Sequence, residues 1–155
     1  MNEAGVDLLV EFLNTVDVET GDEDFDDDAS CAAWFAEHGL PADGLTIDDA
    51  RAVRTSLRAA ADGETPPTAA LTAVPLHVVV RDGVPALESA HPLGPLVATA
   101  VRLAHEGKWE RLKLCDMHTC RYAFFDGSRN RSGRWCDMRV CGNRAKTRAF
   151  RERNR

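Results

Sequence analysis

Four of the five cysteines of this 155-residue chain lie in its last third, as two pairs with the same internal spacing. The pairs are Cys115 with Cys120 and Cys136 with Cys141. Four residues separate the members of each pair, and fifteen residues separate the pairs. Two close pairs joined by a spacer that folds back can supply opposite edges of a tetrahedron, the geometry that zinc takes with thiolates. We therefore predict one structural zinc ion bound by these four cysteines.

Disulfide bonds, catalysis and a histidine ligand are the alternatives for this cysteine cluster. Disulfides are disfavoured because nothing marks the chain as secreted and a reducing cytosol keeps thiols free. A catalytic zinc usually keeps one coordination position open, whereas two symmetric pairs favour a closed site. His118 lies between Cys115 and Cys120 and is an alternative ligand. With four thiolates available, we expect it beside the metal instead.

The residues around the cysteines predict two strands and a terminal helix. Arg121 to Phe125 is rich in aromatic residues and predicts a strand, and turn-forming residues follow up to Gly133. Arg134-Trp135 is predicted as a second short strand. The segment from Arg144 onward has no helix breaker and predicts a helix. This order is typical of a small treble-clef or ribbon-like zinc finger that ends in a basic helix.

The cysteines belong to a longer characteristic string. Its members are Phe125-Asp126, Ser128 to Ser132, Trp135-Cys136 and Cys141-Gly142-Asn143-Arg144. This string resembles the CGNR zinc-finger family of bacterial proteins, which usually has a third arginine where this chain has Gly133. The resemblance implies that the four cysteines are the metal ligands. It also implies a role in transcription regulation.

Charge is distributed unevenly along the chain, whose formal net charge is −6. Residues 1–101 carry four Lys/Arg and nineteen Asp/Glu, a net charge of −15, whereas residues 102–155 carry fifteen and six, a net charge of +9. The local field decides contact with a polyanion, so the basic segment favours nucleic-acid binding. The alternative is that the acidic half packs against the basic half and neutralises it.

The basic residues of the predicted finger are mostly arginines, which bind phosphate through two parallel hydrogen bonds and can also read guanine edges. Several of them recur at spacings of three and four, so they would share one face of the last helix. The predicted contacts to double-stranded DNA are Arg129, Arg131, Arg134, Arg144, Lys146, Arg148, Arg151 and Arg155. The alternative is a solvated charged helix.

Apolar periodicity predicts that the N-terminal region is mainly helical and includes one β-hairpin around Asp82-Gly83. On a helix that begins after Thr46, three arginines are expected on the outer face: Arg51, Arg54 and Arg58. The acidic run from Glu19 to Asp28 is predicted as a solvated, mobile loop. A sharper alternative is that this loop mimics phosphate and covers the finger. The predicted fold class is α+β.

Residues Leu8 to Val16 and Ser30 to Leu40 resemble the ABATE domain, which commonly precedes the CGNR finger. The resemblance implies a bacterial stress-induced transcription regulator, with a shortened ABATE-like domain over residues 1–108 and the finger over residues 109–155. The first domain would sense a small molecule or bind a partner. Asn14 and Thr15 either cap the first helix or line a ligand pocket with Trp34 and His38.

Other sequence features limit the classes of function that are expected for the chain. The sequence contains no nucleophile–base pair, phosphate loop or open-metal motif, so an enzyme is not predicted. No apolar run approaches the length of a membrane span, and the expected compartment is the cytoplasm. A short finger reads few base pairs, so a homodimer or a partner is expected. The alternative function is a sensor or adaptor whose zinc is structural or redox-responsive, without DNA binding.

Overall fold

The computed structural model describes residues 3–154 and confirms the predicted α+β class. The helices are α1 (Glu3–Leu13), α2 (Asp28–Glu37), α3 (Ile47–Ala61), α4 (Ala69–Thr72), α5 (Gly94–His105) and α6 (Asn143–Arg153). The strands are β1 (His77–Arg81), β2 (Val84–Glu88), β3 (Leu112–Leu114) and β4 (Ala123–Phe125). None of the helices in this part of the chain is long and apolar enough to cross a membrane.

An aromatic cluster forms the centre of the helical part. Phe12 of α1, Phe25 in the loop before α2 and Phe35 of α2 are fully buried, and their ring centroids lie 6.1 to 6.3 Å apart. Burial of each ring contributes about 1.5–3 kcal/mol relative to leaving it in water. Phe25 belongs to the acidic run, so this run is anchored to the core. Most of the run is exposed, in agreement with the prediction of a solvated loop, but the prediction is wrong at Phe25.

Residues 16–23, which overlap the start of the acidic run, form a small antiparallel turn, here called the acidic hairpin. Val16 and Glu23 form its closing bridge. Asp17 organises the turn, because its carboxylate accepts hydrogen bonds from the backbone N–H groups of Glu19 at 2.8 Å and Thr20 at 3.1 Å. The Asp17 N–H donates to the carbonyl of Asp22 at 2.8 Å. The acidic hairpin therefore has a defined conformation with Glu19 at its turn.

Arg54 of α3 connects the acidic hairpin to the core. Its side chain is only 5% exposed, so the prediction that it lies on the outer face is wrong. It donates to Thr15 Oγ1 at 2.7 Å and to both carboxylate oxygens of Glu23. Burial alone would raise the pKa of Glu23. Hydrogen bonds from Arg54 and from the Phe25 backbone outweigh burial and hold this pKa below its ordinary value.

Two hairpins complete the fold. β1 pairs antiparallel with β2, and the connecting residues Asp82 and Gly83 both have positive φ, as the predicted Asp-Gly turn requires. β3 pairs antiparallel with β4. The prediction of a second strand at Arg134-Trp135 is wrong, because β4 takes Leu112–Leu114 as its partner. The first cysteine pair consequently lies in the turn of the β3–β4 hairpin.

The finger is docked against the helical part. Asn14, just after α1, forms two hydrogen bonds with the backbone of Ala123 in β4. Arg58 of α3 donates to the carbonyls of Leu13 at 2.6 Å and Arg121 at 2.7 Å. A guanidinium thus bridges the end of α1 and the segment that follows Cys120.

Candidate metal centre and basic groove

The four predicted ligand cysteines converge on one point. Their Sγ atoms all lie within 4.8 Å of one another, with 3.6 Å between Cys120 and Cys136 and 3.7 Å between Cys136 and Cys141. A tetrahedron with Zn–S bonds of about 2.3 Å has sulfur–sulfur edges of about 3.8 Å. The cluster can therefore hold one zinc ion, as predicted. His118 is not part of it, and its Nδ1 instead lies 3.4 Å from Nη1 of Arg148.

A single π-helical turn, Met138–Gly142, presents Cys141 to the cluster and leads directly into α6. Asp137 begins this turn, because its carboxylate accepts hydrogen bonds from the backbone N–H groups of Arg139 and Val140. Gly142 lies at its end, where a Cβ would lie 2.6 Å from Sδ of Met138 and would require that side chain to shift. The zinc ligand and the start of α6 are thus held in fixed relation.

The thiols of the cluster cannot all ionise without a cation. Burial raises the pKa of Cys141 to about 11 and, together with hydrogen bonds to neighbouring thiols, raises that of Cys136 further. Burial also acts on Cys115, but N–H groups of Cys136 and Met117 outweigh it and lower the pKa of this thiol. A bound divalent ion lowers the pKa values of these thiols, because its positive charge stabilises all four thiolates together.

A buried carboxylate organises the loop between the two cysteine pairs. Asp126 accepts hydrogen bonds from Lys113 Nζ at 2.7 Å, from the Ser128 N–H at 2.9 Å and from the Gly133 N–H at 2.8 Å. Burial would raise the pKa of Asp126, but these donors hold it well below its ordinary value. A Cβ at Gly133 would lie 2.8 Å from the carboxylate carbon. Glycine there lets the backbone approach Asp126.

The pairing of Lys113 with Asp126 is not visible in the sequence, because the two residues are thirteen positions apart and the first cysteine pair lies between them. The sequence signal for a role of Lys113 is the alternation of Leu112, Lys113 and Leu114. In a strand this alternation places the lysine side chain on the face opposite to that of the two buried leucines.

A groove of about 730 Å³ runs along the solvent-facing side of α6. Four arginines line it: Arg139, Arg144, Arg148 and Arg151. Three of the predicted DNA contacts lie in this groove, here called the basic groove. Arg139 also lines it and was not among the predicted contacts. Glu152 is the acidic residue in its lining, and its carboxylate pairs with Arg148 at 3.1 Å. The groove therefore carries a clear excess of positive charge.

The remaining predicted DNA contacts lie around the groove and the metal centre. Arg129, Arg131 and Arg134 are exposed on the loop between the cysteine pairs. Arg131 pairs with Glu110, and the Arg134 guanidinium lies 5.1 Å from the ring centroid of Trp135. Lys146 is exposed on α6, and Arg155 lies outside the described residues. DNA contact by these residues stays a prediction.

The four residues of the predicted ligand pocket lie in two separate sets of contacts. Asn14 and Thr15 face the finger and Arg54, and both use their polar atoms in hydrogen bonds within the protein. Trp34 stacks on His38 with ring centroids 3.9 Å apart, and His38 also contacts the Trp34 carbonyl. Ligand binding by these four residues stays a prediction. Their observed contacts are those of packing and docking.

A second cavity, the apolar groove, lies between α3, α4 and α5 and measures about 540 Å³. Leu57, Leu71, Val97, Val101 and Trp109 contribute to its lining. Trp109 is the first residue of the 3₁₀ turn, Trp109–Arg111, that leads into β3 and then Cys115. The apolar groove therefore adjoins the chain segment that enters the metal centre.

Comparison with known families agrees with these observations. Residues 7–115 match the ABATE family, described as "putative stress-induced transcription regulator". Residues 111–154 match the CGNR zinc finger. The two matches stand in the order expected from the sequence. No curated protein matches the chain.

Proposed function

The chain belongs to the ABATE family and carries a CGNR zinc finger, and from this premise we propose that it regulates transcription by binding duplex DNA through the basic groove. The observation that carries the proposal is the alignment of four arginines along one groove. That groove lies on a helix whose first turn follows a zinc ligand directly.

The dimensions of α6 suit a DNA groove. Its eleven residues span about 16 Å at 1.5 Å per residue, and the major groove, about 12 Å wide, admits an α-helix. Arg144, Arg148 and Arg151 lie on successive turns of one face, so their guanidinium groups could contact phosphates along the backbone or guanine edges. The exposed arginines of the neighbouring loop extend the positive surface.

Zinc has a structural role in this proposal. Bound by four thiolates, the ion has no open position for a substrate, and we propose no enzymatic activity. The zinc ion would hold Cys141, and with it the start of α6, against the turn of the β3–β4 hairpin that contains Cys115 and Cys120. Removal of zinc would free the helix and remove the basic groove as a preformed surface.

Substitution of groove arginines tests the proposal. Zinc-loaded protein is titrated into labelled duplex DNA, and the dissociation constant is compared for Arg148→Ala, Arg151→Ala and the double variant. We expect the double variant to bind about tenfold or more weakly, because two phosphate or base contacts are lost. Arg81→Ala, an exposed arginine on the β1–β2 hairpin, is the matched control and should bind like wild type. Full binding by the double variant would contradict the proposal.

The apolar groove favours a second candidate function, a sensor of an uncharged small molecule. Its volume falls in the range of about 300–1,000 Å³ that is usual for ligand pockets. Nile red, a neutral fluorescent dye, probes this candidate. Val101→Asn, inside the groove, should abolish dye binding, whereas Val78→Asn on the exposed face of β1 should not. Equal dye binding by both variants would exclude the groove as the site.

The homodimer stays a prediction.

A further inference from the structure

The acidic hairpin reaches across to the basic groove. The Glu19 carboxylate lies 2.7 Å from Nη1 of Arg144, although 125 residues separate them in the sequence. Arg144 is one of the four groove arginines. A carboxylate therefore sits where a DNA phosphate would bond to this end of the groove.

The position of Glu19 is set by the structure beneath it. Asp17 fixes the turn through two backbone hydrogen bonds, one of them from the Glu19 N–H itself. The base of the hairpin is held by Glu23, which pairs with the buried Arg54, and by the fully buried Phe25. Glu19 is thus presented to Arg144 by an element anchored in the hydrophobic core, which lowers the entropy lost when the ion pair forms.

The chemistry of the hairpin is that of a phosphate mimic. Four carboxylates lie within its eight residues: Asp17, Glu19, Asp22 and Glu23. A carboxylate accepts hydrogen bonds from a guanidinium in the same two-pronged manner as a phosphate. Farther along α6, Arg148 pairs with Glu152 and lies 3.4 Å from Nδ1 of His118, so neither of these contacts is with the acidic hairpin.

We propose that the acidic hairpin is an autoinhibitory element that occupies the Arg144 end of the basic groove and competes there with DNA. The inference rests on the proposed function, since it concerns the same groove. Competition is partial, because one of the four groove arginines is engaged. Both side chains of the ion pair are about half exposed, at 43% for Glu19 and 52% for Arg144, so solvent screens their attraction. Release of the pair should therefore strengthen DNA binding about two- to fivefold.

Two isosteric substitutions distinguish loss of the Glu19–Arg144 contact from a general decrease in the negative charge of the acidic hairpin. Glu19→Gln removes the charge that faces Arg144. Asp22→Asn removes the same charge from the same hairpin, but the Asp22 carboxylate bonds to Thr20 Oγ1 within the hairpin. Both variants should retain zinc and the wild-type circular dichroism spectrum. In titrations with duplex DNA, Glu19→Gln should bind two- to fivefold more tightly than wild type, and Asp22→Asn less than twofold.

A double-mutant comparison completes the test. In an Arg144→Ala background, Glu19→Gln should have no larger effect on DNA affinity than Asp22→Asn, because the partner of Glu19 is gone. If wild type binds DNA and Glu19→Gln binds no better than Asp22→Asn, the autoinhibitory contact is overturned while the proposed function stands. If neither wild type nor any variant binds DNA, the proposed function is overturned and this inference with it.

Discussion

The side-chain amide of Asn14 makes the two hydrogen bonds with Ala123 that a neighbouring β-strand would make. Its Nδ2 donates to the Ala123 carbonyl at 2.9 Å, and its Oδ1 accepts from the Ala123 N–H at 2.7 Å. Ala123 is fully buried, so both of its backbone groups depend on this one side chain for partners. The end of α1 and strand β4 are therefore joined by a specific polar contact.

Loss of this contact should destabilise the docked finger. Asn14→Ala leaves a buried N–H and a buried carbonyl without partners, and we expect the free energy of unfolding to fall by about 2–3 kcal/mol. Urea denaturation followed by circular dichroism measures the change. Asn130→Ala, in the exposed loop between the cysteine pairs, is the control and should change stability by less than about 0.5 kcal/mol. Equal stabilities for both variants would refute the docking role of Asn14.

The buried ion pair between Arg54 and Glu23 gives a second prediction. Arg54→Met leaves the Glu23 carboxylate without its principal partner in a mostly buried setting, and we expect a loss of about 3–5 kcal/mol. Arg81→Met removes an exposed arginine from the pair with Glu88 and should destabilise the protein far less, because solvent screens this pair. Thermal or urea unfolding of both variants makes the comparison. Similar losses in the two would show that burial does not distinguish these pairs.

Zinc content provides a third prediction, which compares a cluster cysteine with the fifth cysteine. Cys136→Ser should fail to retain one zinc per chain and should lose the helical signal of α6, because zinc binding and folding of a small finger are coupled. Cys31 is buried in α2, and burial raises the pKa of its thiol to about 11, so Cys31→Ala should retain full zinc. Metal analysis after gel filtration measures both. Full zinc in Cys136→Ser would remove this residue from the ligand set.

The raised thiol pKa values give a prediction on pH. In the metal-free protein Cys136 and Cys141 are protonated at pH 7, because their pKa values lie well above it. Zinc binds thiolates, so binding must release at least two protons, and apparent zinc affinity should rise as pH rises toward these pKa values. Calorimetric titrations in two buffers of different ionisation enthalpy count the protons. Release of fewer than two at pH 7 would contradict the assignment of these cysteines.

Much of the architecture follows from local sequence signals. The apolar periodicity of α1 and α5, the Thr46 cap of α3 and the Asp82-Gly83 turn all act over a few residues, and each predicted its element. The cysteine pairs predicted the metal cluster because tetrahedral coordination demands a regular spacing that few other uses of cysteine share.

The features that the sequence did not reveal depend on contacts between distant residues. Arg54 was placed on the outer face because arginine is usually exposed, and its buried partner Glu23 was one carboxylate among many in an acidic run. Asn14 could cap a helix or bind a ligand, and nothing local indicates that its partner is 109 residues away. β3 itself was not predicted, because its three residues are too few for a periodic signal.

The side chain of Phe150 on α6 is 61% exposed, so it does not pack the helix onto the finger. The helix is positioned instead from its N-terminal end, by Cys141 and Gly142. This arrangement leaves the arginine face and the C-terminal half of α6 accessible to a partner.

The salt dependence of DNA binding tests the central claim most directly. For each phosphate neutralised on duplex DNA, the logarithm of the association constant falls with the logarithm of salt concentration by a slope of about −0.9. The four arginines of the basic groove predict a slope of roughly −3 to −4 for the zinc-loaded protein. Chelation of zinc should abolish this binding. A slope near zero, or equal binding with and without zinc, would contradict the account of a zinc-held arginine groove that contacts DNA.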